Sequence, residues 1–176
     1  MSVLPKPLAD SALAWMETDA QWSLRVANFY EQWEMHLDET TLPSRLALLL
    51  HRSTVSCFVR TMFGPFTEAK LDLVEVTAHK LLPGQTIRIH NDYGEGEESH
   101  RLLIQLNRGW TDTQGGLLML FDSSRVDDVR RLIRPLHASA MAFAISPKSF
   151  HAVSTIQSGE RYTLVYSFKA SQQPPH

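Results

Sequence analysis

From residue 71 onward the chain is written in short runs of strand length, each stopped by glycine, proline or serine, and this rhythm limits the fold more than any other feature. "LDLVEVTAHKLL" sets Leu71, Leu73, Glu75, Thr77 and His79 against Asp72, Val74, Val76 and Ala78, a period of two rather than 3.6. Pro83-Gly84 then marks a turn. "TIRIHND", "RLLIQLN", "GLLMLF", "RRLIRPL", "SAMAFAIS", "HAVSTI" and "RYTLVYSF" follow, separated by Gly115-Gly116, Pro147 and Ser158-Gly159-Glu160. About eight strands result. The first half of "RVDDVRRLI" reads equally as a helical turn.

The segment before them has a different period. In "ADSALAWMETDAQWSLRVANFYEQWEMHL" Leu13, Trp15, Met16, Trp22, Leu24, Val26, Phe29, Tyr30 and Trp33 recur roughly at helical spacing, which predicts one long or two short helices capped near Asp10 and Ser11. Pro43 suits the first turn of a second helix in "TTLPSRLALLLHR". Helices followed by many short strands predict a helix-supported sandwich or barrel.

A chain of 176 residues, 43% of them hydrophobic, can build one sizeable core, so a single domain over residues 1–176 is expected. Residues 1–63 would be its helical support and 70–169 its β core. A net charge of -2 gives no overall attraction to nucleic acid or to anionic lipid. "LALLL" is the densest apolar run and is too short to span a bilayer. The single cysteine, Cys57, cannot form an internal disulfide and reads as a small buried hydrophobe; with no signal pattern in the first thirty residues, a cytoplasmic location is expected.

His90 and Asp92 end the run "TIRIHND". Two residues apart on a strand, they share a face, with Asn91 turned away. A surface pair at a strand end would look the same, so a second histidine carries the argument. His151 opens "HAVSTI" just after a proline turn. Two histidines and one carboxylate form the facial triad of non-haem Fe(II) oxygenases, although the same donors suit zinc. Arg161 decides between them. It stands ten positions past His151, with Thr163 on the same strand face. An inward arginine needs a partner, and a carboxylate is its best match. A diacid bound to iron at one end and to Arg161 at the other would satisfy both.

At this point the sequence resembles the Fe(II)- and 2-oxoglutarate-dependent dioxygenases, in particular their prolyl 4-hydroxylase-like branch. The resemblance covers about residues 72–169 through "LPGQTIRIHND", "RLLIQLNRGW", "GGLLMLF", "FHAV" and "ERYTLVYSF", in that order. It implies a double-stranded β-helix, a jelly roll of cupin type. It also implies His90, Asp92 and His151 as iron ligands, and Arg161 assisted by Thr163 as the partner of the 2-oxoglutarate C5 carboxylate. Relatives that hydroxylate protein prolines often have tyrosine before the Pro-Gly turn and two residues before Asn107, where this chain has Leu82 and Gln105. Gln105 either hydrogen-bonds the cosubstrate or points outward from an edge strand. Because Asp92 keeps the carboxylate that halogenating relatives lack, hydroxylation is the expected outcome.

The expected activity is therefore hydroxylation of an unactivated C–H bond of an amino acid, peptide or related small molecule, using Fe(II), 2-oxoglutarate and O2 and releasing succinate and CO2. No nucleic-acid or membrane partner is expected, and the sequence does not fix an oligomeric state. A zinc hydrolase and a non-catalytic cupin-like module are the alternatives. Of the other histidines, only His79 has the phase to face the pocket, and a structural role is expected for it. Glu95, Glu97 and Glu98 form either a plain solvated loop or a mouth that concentrates cationic substrates.

Overall fold

A computed structural model describes residues 3–94 and 98–171. Helix α1 (Lys6–Thr18) leads into strands β1 (Ser23–Ala27) and β2 (Tyr30–His36). A 3-10 turn (Ser44–Leu49), helix α2 (Arg52–Phe58) and a π turn (Val59–Phe63) follow. The remaining strands are β3 (Lys70–Leu81), β4 (Ile87–His90), β5 (His100–Gln105), β6 (Leu118–Phe121), β7 (Val129–Ile133), β8 (Ala140–Ala144), β9 (His151–Val153) and β10 (Arg161–Ser171).

The strands run in the order β7-β6-β9-β4-β2-β3-β10-β5-β8, with β1 added to β2. A single residue pair, Tyr30 with Ile87, joins β2 to β4, and there the path turns from a larger sheet into a smaller one. The result is the expected double-stranded β-helix. Strand β10 shows how it is filled. Tyr162, Leu164, Tyr166 and Phe168 point to one side and pack with Leu13, Met16, Leu46, Leu49, Phe58 and Phe63 of the helical layer. Val165 packs on the other side with Leu81, Leu103, Leu118, Val153 and Ile156 between the sheets, and Arg161 and Thr163 share its face.

Three expectations fail on the N-terminal side. Residues 23–36 form a hairpin rather than a helix, because Tyr30, Gln32 and Glu34 line the interior while Met35 faces the helical core. Their polar inner face hides the period of two from a hydrophobicity reading. Helix α1 starts at Lys6 with Pro5 as its N-cap, so Asp10 and Ser11 lie inside it; Asp10 instead receives bonds from Lys6 and Arg108. Cys57 is exposed. Leu46 and Leu49 of "LALLL" are buried as expected, in a 3-10 turn. No helix among the described residues is long and apolar enough to cross a membrane.

Asn107 ties the strand β5 exit to β10. Its Nδ2 donates to the carbonyls of Pro135 at 3.0 Å and Tyr162 at 3.1 Å, and its Oδ1 accepts from the Tyr162 amide at 2.7 Å. Asn107→Leu leaves the Pro135 carbonyl and the Tyr162 amide without this partner, while the Tyr162 carbonyl keeps the Leu106 amide, and a loss of about 1–3 kcal/mol is expected. A lower denaturant midpoint at unchanged slope would show it.

Candidate active site and metal centre

His90 closes strand β4 and His151 opens strand β9, and the two residues are paired across the ladder. Asp92 lies two residues beyond the end of β4, in the following loop, so the shared strand face expected for His90 and Asp92 is only half right. The loop nevertheless brings the carboxylate to both rings. Asp92 Oδ1 is 3.6 Å from His90 Nε2, and Oδ2 is 3.5 Å from His151 Nε2. One donor atom from each of the three residues falls within a 4.8 Å cluster.

The orientation of the rings follows from their other nitrogens. His90 Nδ1 is 2.9 Å from the Arg88 carbonyl and His151 Nδ1 is 2.9 Å from the Ser149 carbonyl. A carbonyl only accepts, so each Nδ1 carries a proton and each Nε2 is left facing Asp92. Burial, followed by the neighbouring His90 imidazole, pushes His151 down to about 4 and keeps it neutral, the form that binds metal. Phe29 stacks on His90 at 4.1 Å between centroids and shields it. Two oriented imidazoles and a carboxylate fit a divalent metal ion on donor chemistry alone.

Arg161 lines the same cavity, of about 340 Å³. It is 4% exposed, yet its bonds among the described residues go to no acid. Its Nε donates to the Gly116 carbonyl at 2.9 Å and its Nη1 to Thr163 Oγ1 at 2.9 Å. Thr163 in turn donates to Gln105 Oε1 at 2.9 Å. Burial lowers Arg161 to about 10, which still leaves it charged at neutral pH. A buried guanidinium with only neutral partners is a site for an anion. Gly116 explains the approach: it sits at φ 65°, and a Cβ there would lie 2.9 Å from the Arg161 Cδ. Strand β5 lies between β10 and β8, so Gln105 does not point outward from an edge; it is buried beside Thr163. The inward residue before the Pro-Gly turn is Leu81, which packs between the sheets.

Sequence reasoning passed over Arg101, Gln32 and Glu34 of this cavity, and gave His79 the phase to face it. Arg101 enters from β5 and places Nη1 2.8 Å from Asp92 Oδ2, an ion pair without hydrogen-bond geometry, while Nη2 meets Glu98. Burial pulls its pKa down, but the two carboxylates outweigh that and hold it above the ordinary value. The only sequence signal was a charge at the head of an apolar strand. His79 lies across β3 and β10 from Thr163 and Gln105, and burial holds it neutral at about 4. Gln32 and Glu34 come from the misread hairpin. Glu98 of the acidic loop is spent on Arg101; Glu95 and Glu97 lie outside the described residues.

The sequence pattern of the 2OG-Fe(II) oxygenase superfamily matches residues 76–169. Prolyl 3-hydroxylase sudestada1 of Drosophila melanogaster is 25% identical over 166 residues, which cover 88% of this chain but 30% of that protein. Among solved structures, a Pseudomonas putida prolyl-4-hydroxylase superposes with a TM-score of 0.75 at 19% identity, over 97% of this chain and 91% of that one. A Trichoplax adhaerens prolyl hydroxylase in complex with a hypoxia inducible factor oxygen degradation domain peptide fragment gives a TM-score of 0.76 at 16% identity, over 98% and 85%. At such identities the superpositions speak for the fold.

Proposed function

The chain belongs to the 2OG-Fe(II) oxygenase superfamily, and from that premise we propose that it hydroxylates an unactivated C–H bond of an amino acid or peptide. In this family Fe(II), 2-oxoglutarate and O2 together supply an oxidative decarboxylation that yields succinate and CO2 and leaves one oxygen atom on the substrate. His90, Asp92 and His151 would hold the iron through two Nε2 atoms and a carboxylate oxygen. Arg161 would take the far carboxylate of 2-oxoglutarate in a forked, charge-assisted pair, with Thr163 and Gln105 beside it. Arg101 would hold the Asp92 carboxylate in place by its Oδ2 contact. Phe29 and the apolar set Leu103, Leu118, Val153 and Val165 exclude water from the path between.

The observation that carries this reading is one cavity with a His-Asp-His cluster and a buried arginine that meets no carboxylate among the described residues. A zinc hydrolase would leave that arginine without a role. A peptide substrate draws support from the Trichoplax adhaerens protein's peptide complex. The test is succinate release from 2-oxoglutarate with Fe(II) and O2, with and without a panel of amino acids and short peptides searched for the mass of one added oxygen. Failure to form succinate under any of these conditions, with no measurable 2-oxoglutarate binding, would overturn it.

A further inference from the structure

The wall of the cavity supplied by β2 comes from residues 23–36, ahead of residue 76 where the family match begins. The sequence pattern that carries the shared chemistry therefore does not describe this wall. Gln32, 3% exposed, donates from Nε2 to Glu34 Oε1 at 2.6 Å and lies 3.3 Å from His79 Nδ1. The carboxylate fixes that amide, since turning it would set two acceptor oxygens together. Gln32 Oε1 is left buried with no hydrogen-bond partner. His79 spends Nε2 on Thr77 Oγ1 at 3.0 Å. Glu75, from β3, lines the same cavity.

This wall thus offers acceptors: the orphaned Gln32 oxygen and the Glu34 and Glu75 carboxylates. The cations that line the cavity are otherwise engaged. Arg101 is held by Asp92 and Glu98, and Arg161 by the cosubstrate on the reading above. Arg25 Nε is 3.9 Å from Glu34 Oε2 on a side chain 69% exposed, a pair that water screens.

We propose that Glu34 and Gln32 form the recognition site for a cationic N–H donor on the substrate, a guanidinium or ammonium, so that the enzyme acts on an amino acid or peptide carrying a basic group. A guanidinium offers a fork of donors that can meet the carboxylate and the neutral amide oxygen together. A backbone amide would satisfy Gln32 but leave Glu34 with only the screened Arg25 pair. The proposal rests on the oxygenase reading for what is oxidised, although binding at this wall is measurable without turnover.

The experiment uses the full chain loaded with Mn(II) and 2-oxoglutarate without O2, titrated by calorimetry with N-acetyl-arginine amide, its neutral counterpart N-acetyl-citrulline amide, and N-acetyl-glutamate amide. The arginine probe is expected to bind at least about tenfold more tightly than the citrulline probe, and the glutamate probe most weakly. Glu34→Gln should erase the arginine preference. Gln32→Met, which keeps the charge, should weaken the arginine and citrulline probes by a similar factor and leave the glutamate probe unchanged. A purely structural role would move all probes alike and leave their ratio intact. Absence of arginine-probe binding, equal binding of the first two probes, or a preference that survives Glu34→Gln overturns the proposal; if Glu34→Gln does not fold, Gln32→Met and the wild-type ratio decide. Succinate release is scored separately. An arginine preference without succinate sinks the oxygenase reading alone, and succinate without the preference sinks this one alone.

Discussion

His151→Ala is expected to abolish succinate formation and to weaken divalent metal binding by more than about 100-fold, beyond the range that loss of a residue merely supporting a ligand produces. The ring removed is one of the two imidazoles that join Asp92 in the cluster, and water cannot replace it with the same fixed lone pair. The fold should persist. His151 sits on the cavity side of strand β9, its Nδ1 bond goes to the nearby Ser149 carbonyl, and the ladder of β9 with β4 and β6 runs through the backbone. Truncation exposes that carbonyl to cavity water and loosens one contact with Phe143, 5.2 Å away between centroids. A stability loss of about 1 kcal/mol follows, typical of a substitution that leaves no sealed void. A Co(II) titration followed by absorbance reads the metal, and thermal unfolding reads the fold. Full turnover in this variant would remove His151 from the metal site and the proposed chemistry with it.

The β core was legible because its two faces differ in chemistry. Along β10 the outward Tyr162, Leu164, Tyr166 and Phe168 alternate with the inward Arg161, Thr163, Val165 and Ser167, and a period of two survives although both faces are covered. Hairpin β1–β2 was not legible for a related reason. Its inward residues are Gln32 and Glu34, polar because they line a cavity, so apolar positions such as Leu24 and Val26 are exposed and mark no core face. Hydrophobic period reports which residues avoid water, and a wall built to bind a ligand breaks that link.

Among site residues, His90, Asp92, His151 and Arg161 could be picked out because few arrangements need those types in that order. Arg101 and Gln32 could not, because a charged or polar residue in a strand has many ordinary explanations until its neighbours are known; His79 was placed by its phase alone. Arg101 meets Asp92 and Glu98, which lie between β4 and β5, and Gln32 of the hairpin meets His79 of β3. Cys57 was misjudged through composition alone. Its helix presents other residues inward, with Phe58 the one fully buried.

Arg161→Leu is expected to weaken 2-oxoglutarate binding by about 2–5 kcal/mol, the cost of removing one partner of a buried, hydrogen-bonded charge pair. Metal binding should persist, since none of the metal-facing atoms contacts this side chain in the cluster. Stability should barely fall. Without its cosubstrate the guanidinium is buried among neutral acceptors, and such an unpaired charge is itself a cost to the fold. Leucine relieves that cost while forfeiting two hydrogen bonds, and Thr163 keeps its bond to Gln105. Unfolding and ligand binding should therefore separate: a near-constant melting temperature beside a steep rise in the 2-oxoglutarate dissociation constant. Arg161→Lys should fall between the two, since it keeps the charge and loses the fork. If affinity for 2-oxoglutarate were unchanged in the leucine variant, another cation would have to take the role. Arg88 is bonded to the Asn28 carbonyl, and Arg101 is held by Asp92 and Glu98. Neither is placed to replace it, so that result would count against 2-oxoglutarate occupying this cavity at all.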